Sequence, residues 1–251
     1  MKLMGIVNAT PDSFSDGGAY DPVAQGLRVA SEGADWVDVG GESTRPGALP
    51  IPEDEELRRI LPVVKSLVSR GVAVSVDTRR ARVAALAIEV GATMVNDVSG
   101  GADPEMFKIV AESRSAYVLM HSRGTPETMG ALTEYDDVAA EVWAELGRRG
   151  AIARRAGVGA VWLDPGIGFA KKADQSLALL RSLRGRNNAC TLIGASRKSF
   201  LAPLGEQPRP ADRLGGSLAV ALHCAARGVG MVRVHDVAET RRALATWAAL
   251  R

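Results

Sequence analysis

The sequence is poor in cysteine and carries no long run of apolar residues. Its two cysteines, Cys190 and Cys224, form no Cys-x-x-Cys pair, which excludes a disulfide framework and predicts two free thiols. No apolar run reaches the roughly 18 residues that a membrane-spanning helix needs, and no charged-then-apolar leader precedes the first motif. We therefore expect a cytosolic (cytoplasmic) protein that has no membrane partner.

Long blocks of like charge are also absent. The formal net charge of the 251 residues is +2, and arginine and lysine form no long block, so we expect no nucleic-acid partner. Hydrophobic residues make up 46% and charged residues 24%, a balance that is typical of folded globular proteins and not of disordered chains. The length fits two small domains or one α/β barrel.

Eight short apolar segments are spaced along the chain, and most of them lack polar alternation. Such segments are typical of strands that are buried on both faces. The segments are Leu3–Ala9, Trp36–Gly40, Ala73–Asp77, Thr93–Asn96, Ala116–Met120, Val161–Asp164, Thr191–Ala195 and Met231–His235.

Helical patterns lie between these segments and place apolar residues on one face at helical spacing. Asp21-Pro22 and Asp103-Pro104 are typical of an N-cap followed by proline at the first helical position. Helices should end where glycine precedes a strand, at Gly33, Gly91, Gly157 and Gly228. The patterns predict helices over Glu53–Ser69, Arg80–Val90, Pro104–Glu112, Asp136–Ala156, Asp174–Leu183, Asp212–Arg227 and Val237–Leu250.

Strict alternation of strand and helix predicts parallel strands joined by right-handed crossovers. Eight such units predict a single α/β domain over residues 1–251, a (β/α)8 TIM barrel with an eight-stranded parallel core. An open doubly wound sheet is the alternative. No glycine-rich dinucleotide fingerprint follows the first strand, which disfavours that sheet.

Nearly every predicted strand ends in a polar residue. In a barrel these ends meet at one rim, and the active sites of this fold lie on that rim. Helix capping could explain one such residue, but it does not explain a chemically assorted set. The residues are Asn8, Asp38, Asp77, Asn96, His121, Asp164, Ser196, Arg233 and His235.

Residue type divides the candidate site into two groups. One group offers donors and positive charge, which suit a phosphate or a diphosphate. The other offers mixed donors and acceptors, which suit the edge of a flat heterocycle such as a pterin. The first group is Asn8, Arg45, Arg233 and His235. The second group is Asp77, Asn96, Asp164 and Lys198.

Longer motifs run in order along essentially the whole chain. They include GIVNATPDSFSDGG (5–18), DVGGESTRPG (38–47), SVDT (75–78), NDVSGG (96–101), LDPGIGF (163–169), GASRKSF (194–200) and RVHD (233–236). Together they resemble the dihydropteroate synthase family. The resemblance implies a transferase of folate biosynthesis that condenses 6-hydroxymethyl-7,8-dihydropterin diphosphate with p-aminobenzoate to give 7,8-dihydropteroate and diphosphate.

The resemblance also implies a role for each candidate residue. The catalytic residues would be Asp16, Arg45, Lys198, Arg233 and His235. The pterin would bind Asp77, Asn96, Met120, Asp164 and Lys198. The diphosphate would bind Asn8, Thr44, Arg45, Arg233 and His235. The p-aminobenzoate would bind Phe14, Thr44, Pro46, Phe169 and Ser199.

Cofactor and partners are expected on the same basis. Mg²⁺ would be the cofactor, with Asn8 as its ligand. Sulfonamides would be competitive inhibitors, and the family is typically homodimeric, with the small apolar residues of the seventh helix as a possible interface. Asp97 and Asp236 are expected to support helices or loops, and Glu42 fits either such support or a role in the site.

Two other functions are compatible with parts of the pattern. A methyltransferase on the same pterin-binding barrel would need the pterin edge but not the diphosphate group or the first motif. A non-catalytic binding protein would have lost residues at the rim. The complete set from Asn8 to His235 argues against both alternatives.

Overall fold

The computed structural model describes residues 1–10, 21–45 and 47–250, and within these ranges eight strands alternate with eight α-helices. The strands are β1 (Lys2–Asn8), β2 (Trp36–Gly40), β3 (Val74–Asp77), β4 (Met94–Asp97), β5 (Ala116–Met120), β6 (Ala160–Asp164), β7 (Leu192–Ile193) and β8 (Met231–Val234). The helices are α1 (Pro22–Ser31), α2 (Glu53–Val68), α3 (Ala81–Glu89), α4 (Met106–Ser113), α5 (Val138–Arg155), α6 (Ala173–Arg181), α7 (Leu214–Ala226) and α8 (Val237–Ala249).

All eight strands run parallel in one sheet, in the order β6-β5-β4-β3-β2-β1-β8-β7. The two edges, β6 and β7, meet through one bridge between Leu163 and Thr191. The Leu163 N–H also donates to the Cys190 carbonyl at 2.9 Å. The sheet is therefore rolled into a nearly closed barrel, which confirms the predicted TIM-barrel fold. The contact between β6 and β7 is called the seam below.

Apolar side chains fill the barrel interior near the amino-terminal ends of the strands. A cluster of fully buried residues lies there: Met4, Met94, Val118, Leu192 and Met231. A larger cluster joins strand valines to apolar residues of the surrounding helices. Burial of each large apolar side chain contributes about 1.5–3 kcal/mol. The polar strand ends lie at the opposite end of the barrel.

The predicted start of α1 is confirmed, whereas the predicted start of α4 is wrong. Asp21 caps α1, because its side chain accepts the Val23 N–H at 2.8 Å. Helix α4 begins at Met106, two residues after the predicted proline. Asp103 Oδ1 accepts the Glu105 N–H at 3.1 Å just before α4, and Oδ2 accepts the N–H of Ala81, the first residue of α3, at 2.8 Å. The sequence does not reveal the contact with Ala81, since it joins the loop before α4 to the start of α3.

The predicted helix ends agree with the structure. Gly33, Gly91, Gly157 and Gly228 have φ values of 98°, 108°, 97° and 69°, a left-handed conformation that glycine adopts without strain. No helix in the described part of the chain has the length and apolar character to cross a membrane.

The proline-rich segment Leu201–Pro210 lies between two short 3-10 turns, Ser199–Leu201 and Pro210–Arg213. Arg213 is buried and donates to the carbonyls of Arg197 at 2.9 Å, Gln207 at 3.0 Å and Pro208. One side chain therefore ties this segment to the loop after β7.

Candidate active site

The strand register brings polar side chains to one level of the barrel rim. Gly40 of β2 pairs with Asn8 of β1 on one side and with Asp77 of β3 on the other. Asp77 in turn pairs with Asn96 of β4. Residues paired across parallel strands point the same way, so the sequence predicted this part of the rim correctly.

A buried network of charged side chains occupies the centre of the rim. Arg233 of β8 donates from Nε to Asp38 Oδ2 at 2.6 Å and from Nη2 to Asp77 Oδ2 at 2.7 Å. The Asn96 amide donates to the same Asp38 oxygen at 2.9 Å. Asp38 therefore joins Arg233 to Asn96, and it is the functional residue to which sequence analysis assigned no role.

Two carboxylate oxygens of this network remain available as acceptors. Among the described residues, Asp38 Oδ1 and Asp77 Oδ1 are buried and have no hydrogen-bond partner. Burial raises the pKa of Asp77 to about 7, although the Arg233 charge acts in the opposite direction. Burial alone would lower the pKa of Arg233. The negative charges of Asp38 and Asp77 outweigh the effect of burial, so the pKa of Arg233 is raised. The guanidinium thus remains charged.

Asp164 and Lys198 form the opposite side of the site. Burial raises the pKa of Asp164, whose Oδ1 accepts the Gly166 N–H at 2.7 Å. Burial lowers the pKa of Lys198 to about 8. Lys198 Nζ donates to the Ile167 carbonyl at 2.5 Å and lies 4.4 Å from the centre of the Phe169 ring.

Gly194, directly after β7, leaves space among these charged groups. A Cβ atom at this position would lie 3.7 Å from Asp164 Oδ2, 3.9 Å from Arg233 Cβ and 4.0 Å from Lys198 Nζ. The absence of a side chain here keeps the centre of the site open to a flat group.

His235 follows β8, and its surroundings favour the neutral form of its ring. Its Nδ1 lies 3.1 Å from Ser196 Oγ. Burial lowers the pKa of His235 to about 4, and the charges of Arg233, Arg197 and Arg45 act in the same direction. The sequence predicted positive charge at this residue, whereas the environment favours a neutral ring that can donate one N–H.

The other predicted residues lie in the loops and strand ends around this centre. Met120 is buried at the end of β5 and is the register partner of Asp164. Arg45 and Ser199 are exposed, and Thr44 and Phe169 are half-buried. The predicted Phe14, Asp16 and Pro46 lie outside the described residues, so their roles stay predictions.

Glu42 organises the loop after β2, which carries Thr44 and Arg45. Its carboxylate accepts Arg79 Nε at 3.0 Å, Arg80 Nη2 at 2.9 Å and the Ile51 N–H at 3.0 Å. Burial alone would raise the pKa of Glu42. The hydrogen bonds from the Ile51 N–H and from Arg79 outweigh that effect, so the pKa is lowered overall. Sequence analysis left Glu42 without a clear role, because its partners lie beyond its own motif.

The loop-supporting roles predicted for Asp97 and Asp236 are confirmed. Asp97 accepts the N–H groups of Ser99 and Gly101 at 2.7 and 2.8 Å, and the Tyr117 hydroxyl at 2.6 Å. Asp236 forms a two-pronged ion pair with Arg197, whose Nε donates at 2.9 Å. This pair joins the loops that carry Lys198 and His235.

A cavity of about 320 Å³ lies beside the centre of the site. It opens between the loops after β4 and β5 and is bordered by Arg79, Glu145 and Arg149. Phe169 borders it on the side of the site.

Known proteins resemble this chain in sequence and in fold. The family described as "Pterin binding enzyme" matches residues 4–235. The dihydropteroate synthase of Mycobacterium leprae is 45% identical over 252 residues, which cover 94% of this chain and 89% of the relative.

Two solved structures extend the comparison. A Xanthomonas albilineans dihydropteroate synthase with 4-aminobenzoic acid has a TM-score of 0.91 and 43% identity, and the match covers 99% of this chain and 92% of that one. The Yersinia pestis dihydropteroate synthase with a sulfonamide drug has a TM-score of 0.91 and 37% identity, with coverage of 100% and 94%.

Proposed function

Because the chain belongs to the dihydropteroate synthases of the pterin-binding enzyme family, we propose that its barrel rim holds both substrates with the residues described above. The enzyme condenses 6-hydroxymethyl-7,8-dihydropterin diphosphate with p-aminobenzoate, a transferase reaction of folate biosynthesis. The observation that supports the placement is the buried network of Arg233, Asp38 and Asp77, which faces Asp164 and Lys198.

The pterin ring would bind in the space beside Gly194. Asp77 Oδ1 and Asp164 Oδ2 would accept the ring N–H and amino donors, and Lys198 would donate to the ring oxo group. The side-chain N–H of Asn96 already donates to Asp38, so Asn96 would offer its side-chain carbonyl oxygen to the pterin ring. Met120 would form the apolar wall.

The diphosphate would bind above the pterin pocket, at Asn8, Thr44, Arg45, Arg233 and His235. The Nη1 atom of Arg233 takes no part in its two ion pairs, and it can therefore donate to a phosphate oxygen. The neutral His235 ring supplies one N–H. Arg45, exposed in the loop after β2, adds positive charge where the leaving group departs.

Mg²⁺ is the proposed cofactor, with Asn8 as its protein ligand. Among the described residues no group of three histidine, cysteine, aspartate or glutamate side chains could hold a metal ion. One carboxamide oxygen fits a Mg²⁺ ion that takes its remaining ligands from substrate phosphates and water. The ion would neutralise charge on the leaving diphosphate.

The reaction breaks the C–O bond between the pterin methylene and the diphosphate, and the electron pair leaves with the diphosphate. The lone pair of the arylamine nitrogen forms the new C–N bond, and the resulting ammonium loses a proton to solvent or diphosphate. An arylamine is uncharged at neutral pH, so it needs no general base. Arg233, Arg45 and His235 stabilise the charge that develops on the leaving group, while Asp164 favours positive charge on the pterin.

The p-aminobenzoate would lie against Phe169, next to Thr44 and Ser199. Phe14 and Pro46 are proposed to complete this site, and Asp16 is proposed to support catalysis from the same loop as Phe14. Sulfonamides resemble p-aminobenzoate in shape, so we propose that they compete for this site.

Domain organisation and assembly are part of the proposal. The eight strand–helix units extend from Lys2 to Ala249, which supports a single barrel domain. The proposed homodimer would use α7, where Leu214, Leu218 and Leu222 are only partly buried.

The proposed function is tested by mixing the purified protein with 6-hydroxymethyl-7,8-dihydropterin diphosphate, p-aminobenzoate and Mg²⁺. We expect 7,8-dihydropteroate, detected by mass, and its loss when Mg²⁺ is chelated. Pterin binding without product would favour a non-catalytic protein. If the protein neither forms product nor binds pterin, the assignment of the rim is wrong.

A further inference from the structure

The loop after β6 has an alternating backbone conformation. Gly166, Gly168 and Ala170 have φ values of 66°, 79° and 50°, so every second residue is left-handed. For a residue with a side chain, such as Ala170, this conformation costs roughly 1–2 kcal/mol. The conformation therefore needs compensating contacts.

Two lysines bind the carbonyls between the left-handed residues. Lys198 Nζ donates to the Ile167 carbonyl at 2.5 Å, and Lys171 Nζ donates to the Phe169 carbonyl at 2.8 Å. The Phe169 ring also lies under the Lys198 ammonium. Phe169 is thus held through its backbone by Lys171 and through its ring by Lys198.

Lys171 joins this loop to the residue that follows β5. Its side chain is buried, and Nζ lies 3.3 Å from the His121 carbonyl and 3.1 Å from His121 Nδ1. To accept at Nδ1, His121 must be neutral and carry its proton on Nε2, which lies 3.3 Å from Glu145 Oε2 without forming a hydrogen bond to it. Burial and the Lys171 charge lower the pKa of His121 to about 3, in agreement with this tautomer.

We propose that Lys171 is a positioning residue for p-aminobenzoate: it fixes the Phe169 backbone against the end of β5, so that the Phe169 ring lies where the arylamine binds. This inference rests on the proposed function, which places p-aminobenzoate against Phe169. Lys171 does not itself touch the substrate in this arrangement.

Among the described residues, none of those assigned to the pterin pocket accepts a hydrogen bond from Lys171, whose partners are His121 and Phe169. The Asp164 side chain accepts the Gly166 N–H at 2.7 Å, and the Asp164 backbone carbonyl accepts the His121 backbone N–H at 2.9 Å. Asp77 and Asn96 lie in the Asp38 network on the opposite side. Loss of Lys171 should therefore affect the two substrates unequally.

The test is Lys171→Met, which keeps the apolar stem and removes the donors to Phe169 and His121. A misplaced contact can cost up to about 100-fold, so we expect KM for p-aminobenzoate to rise at least tenfold. Calorimetry should show a much smaller change in Kd for the pterin diphosphate, because Lys171 acts on Asp164 only through its charge, and kcat at saturating p-aminobenzoate should change little.

The matched control is Lys172→Met. Lys172 is the next residue, but its ammonium pairs with Glu134 at 2.9 Å on the surface. Its loss should leave both substrate constants unchanged. Lys171→Gln keeps an amide donor and should give a KM between those of the wild type and Lys171→Met.

Each outcome bears on the proposal. An unchanged KM for p-aminobenzoate, or an equal loss of affinity for both substrates, would overturn it. If Lys171→Met does not fold, Lys171→Gln decides by the same comparison; failure of both to fold would show a purely structural role and also overturn it. A wild-type protein without product would refute the proposed function instead.

Discussion

Asp38 shows how one oxygen atom can orient two parts of a binding site. Its Oδ2 accepts Arg233 Nε and Asn96 Nδ2, and its side chain is fully buried. Hydrogen bonds formed away from water are costly to lose, because a donor left behind stays unsatisfied. Asp38 therefore controls residues proposed for the diphosphate and the pterin without needing to touch either ligand.

We predict that Asp38→Asn weakens binding of the pterin diphosphate. The amide oxygen can replace Oδ2 as the acceptor for Arg233 and Asn96, but the neutral amide loses the ion pair with the Arg233 guanidinium. Hydrogen bonds to charged groups contribute about 1.5–3 kcal/mol, which corresponds to a loss of roughly 10- to 150-fold in affinity. Calorimetry measures this, with Asp54→Asn as an exposed control. Unchanged affinity in a folded variant would show that Asp38 does not orient the site.

Sequence analysis placed Asp38 among the polar strand ends but did not predict that it orients its neighbours. Asp77, Asn96, Asp164 and Arg233 were predictable, because parallel strands bring their ends to one rim. The partners of Asp38 lie 58 and 195 residues away along the chain. Only the rolled sheet brings these residues into contact, so the role of Asp38 could not be predicted from spacing along the chain.

At the scale of elements, all eight predicted strands are present, but β7 is shorter than predicted. The apolar run Thr191–Ala195 predicted five residues, whereas only Leu192–Ile193 pair as a strand. An apolar pattern shows that a segment is buried. It does not show whether a neighbouring strand lies alongside, and β7 has regular pairing only with β8.

Arg213 provides a prediction about the proline-rich segment. We expect Arg213→Met to lower the free energy of unfolding by about 1–3 kcal/mol, because it leaves the carbonyls of Arg197, Gln207 and Pro208 without this donor. Chemical denaturation measures the change. Arg209→Met is the control, since Arg209 is exposed and pairs only with Asp212 among the described residues. Equal stability of the two variants would contradict the role given to Arg213.

At the scale of the whole molecule, the fold predicts different reactivity for its two thiols. Cys190 is exposed and Cys224 is fully buried, and burial raises the pKa of Cys224 to about 12. The reactive thiolate of Cys224 is therefore suppressed at pH 8. A colorimetric thiol reagent should modify one cysteine per native chain and two after denaturation. Cys190→Ser should abolish the native reaction, and rapid modification of this variant would contradict the packing around α7.

The seam of the barrel has a consequence for the bound state. One bridge joins β6 to β7, and the rim on its two sides carries Asp164 and Lys198. With the pterin placed as proposed, the ring is hydrogen-bonded to both sides at once. The substrate then acts as a non-covalent cross-link between strands that the backbone joins only weakly. We therefore expect pterin binding to oppose separation of β6 from β7.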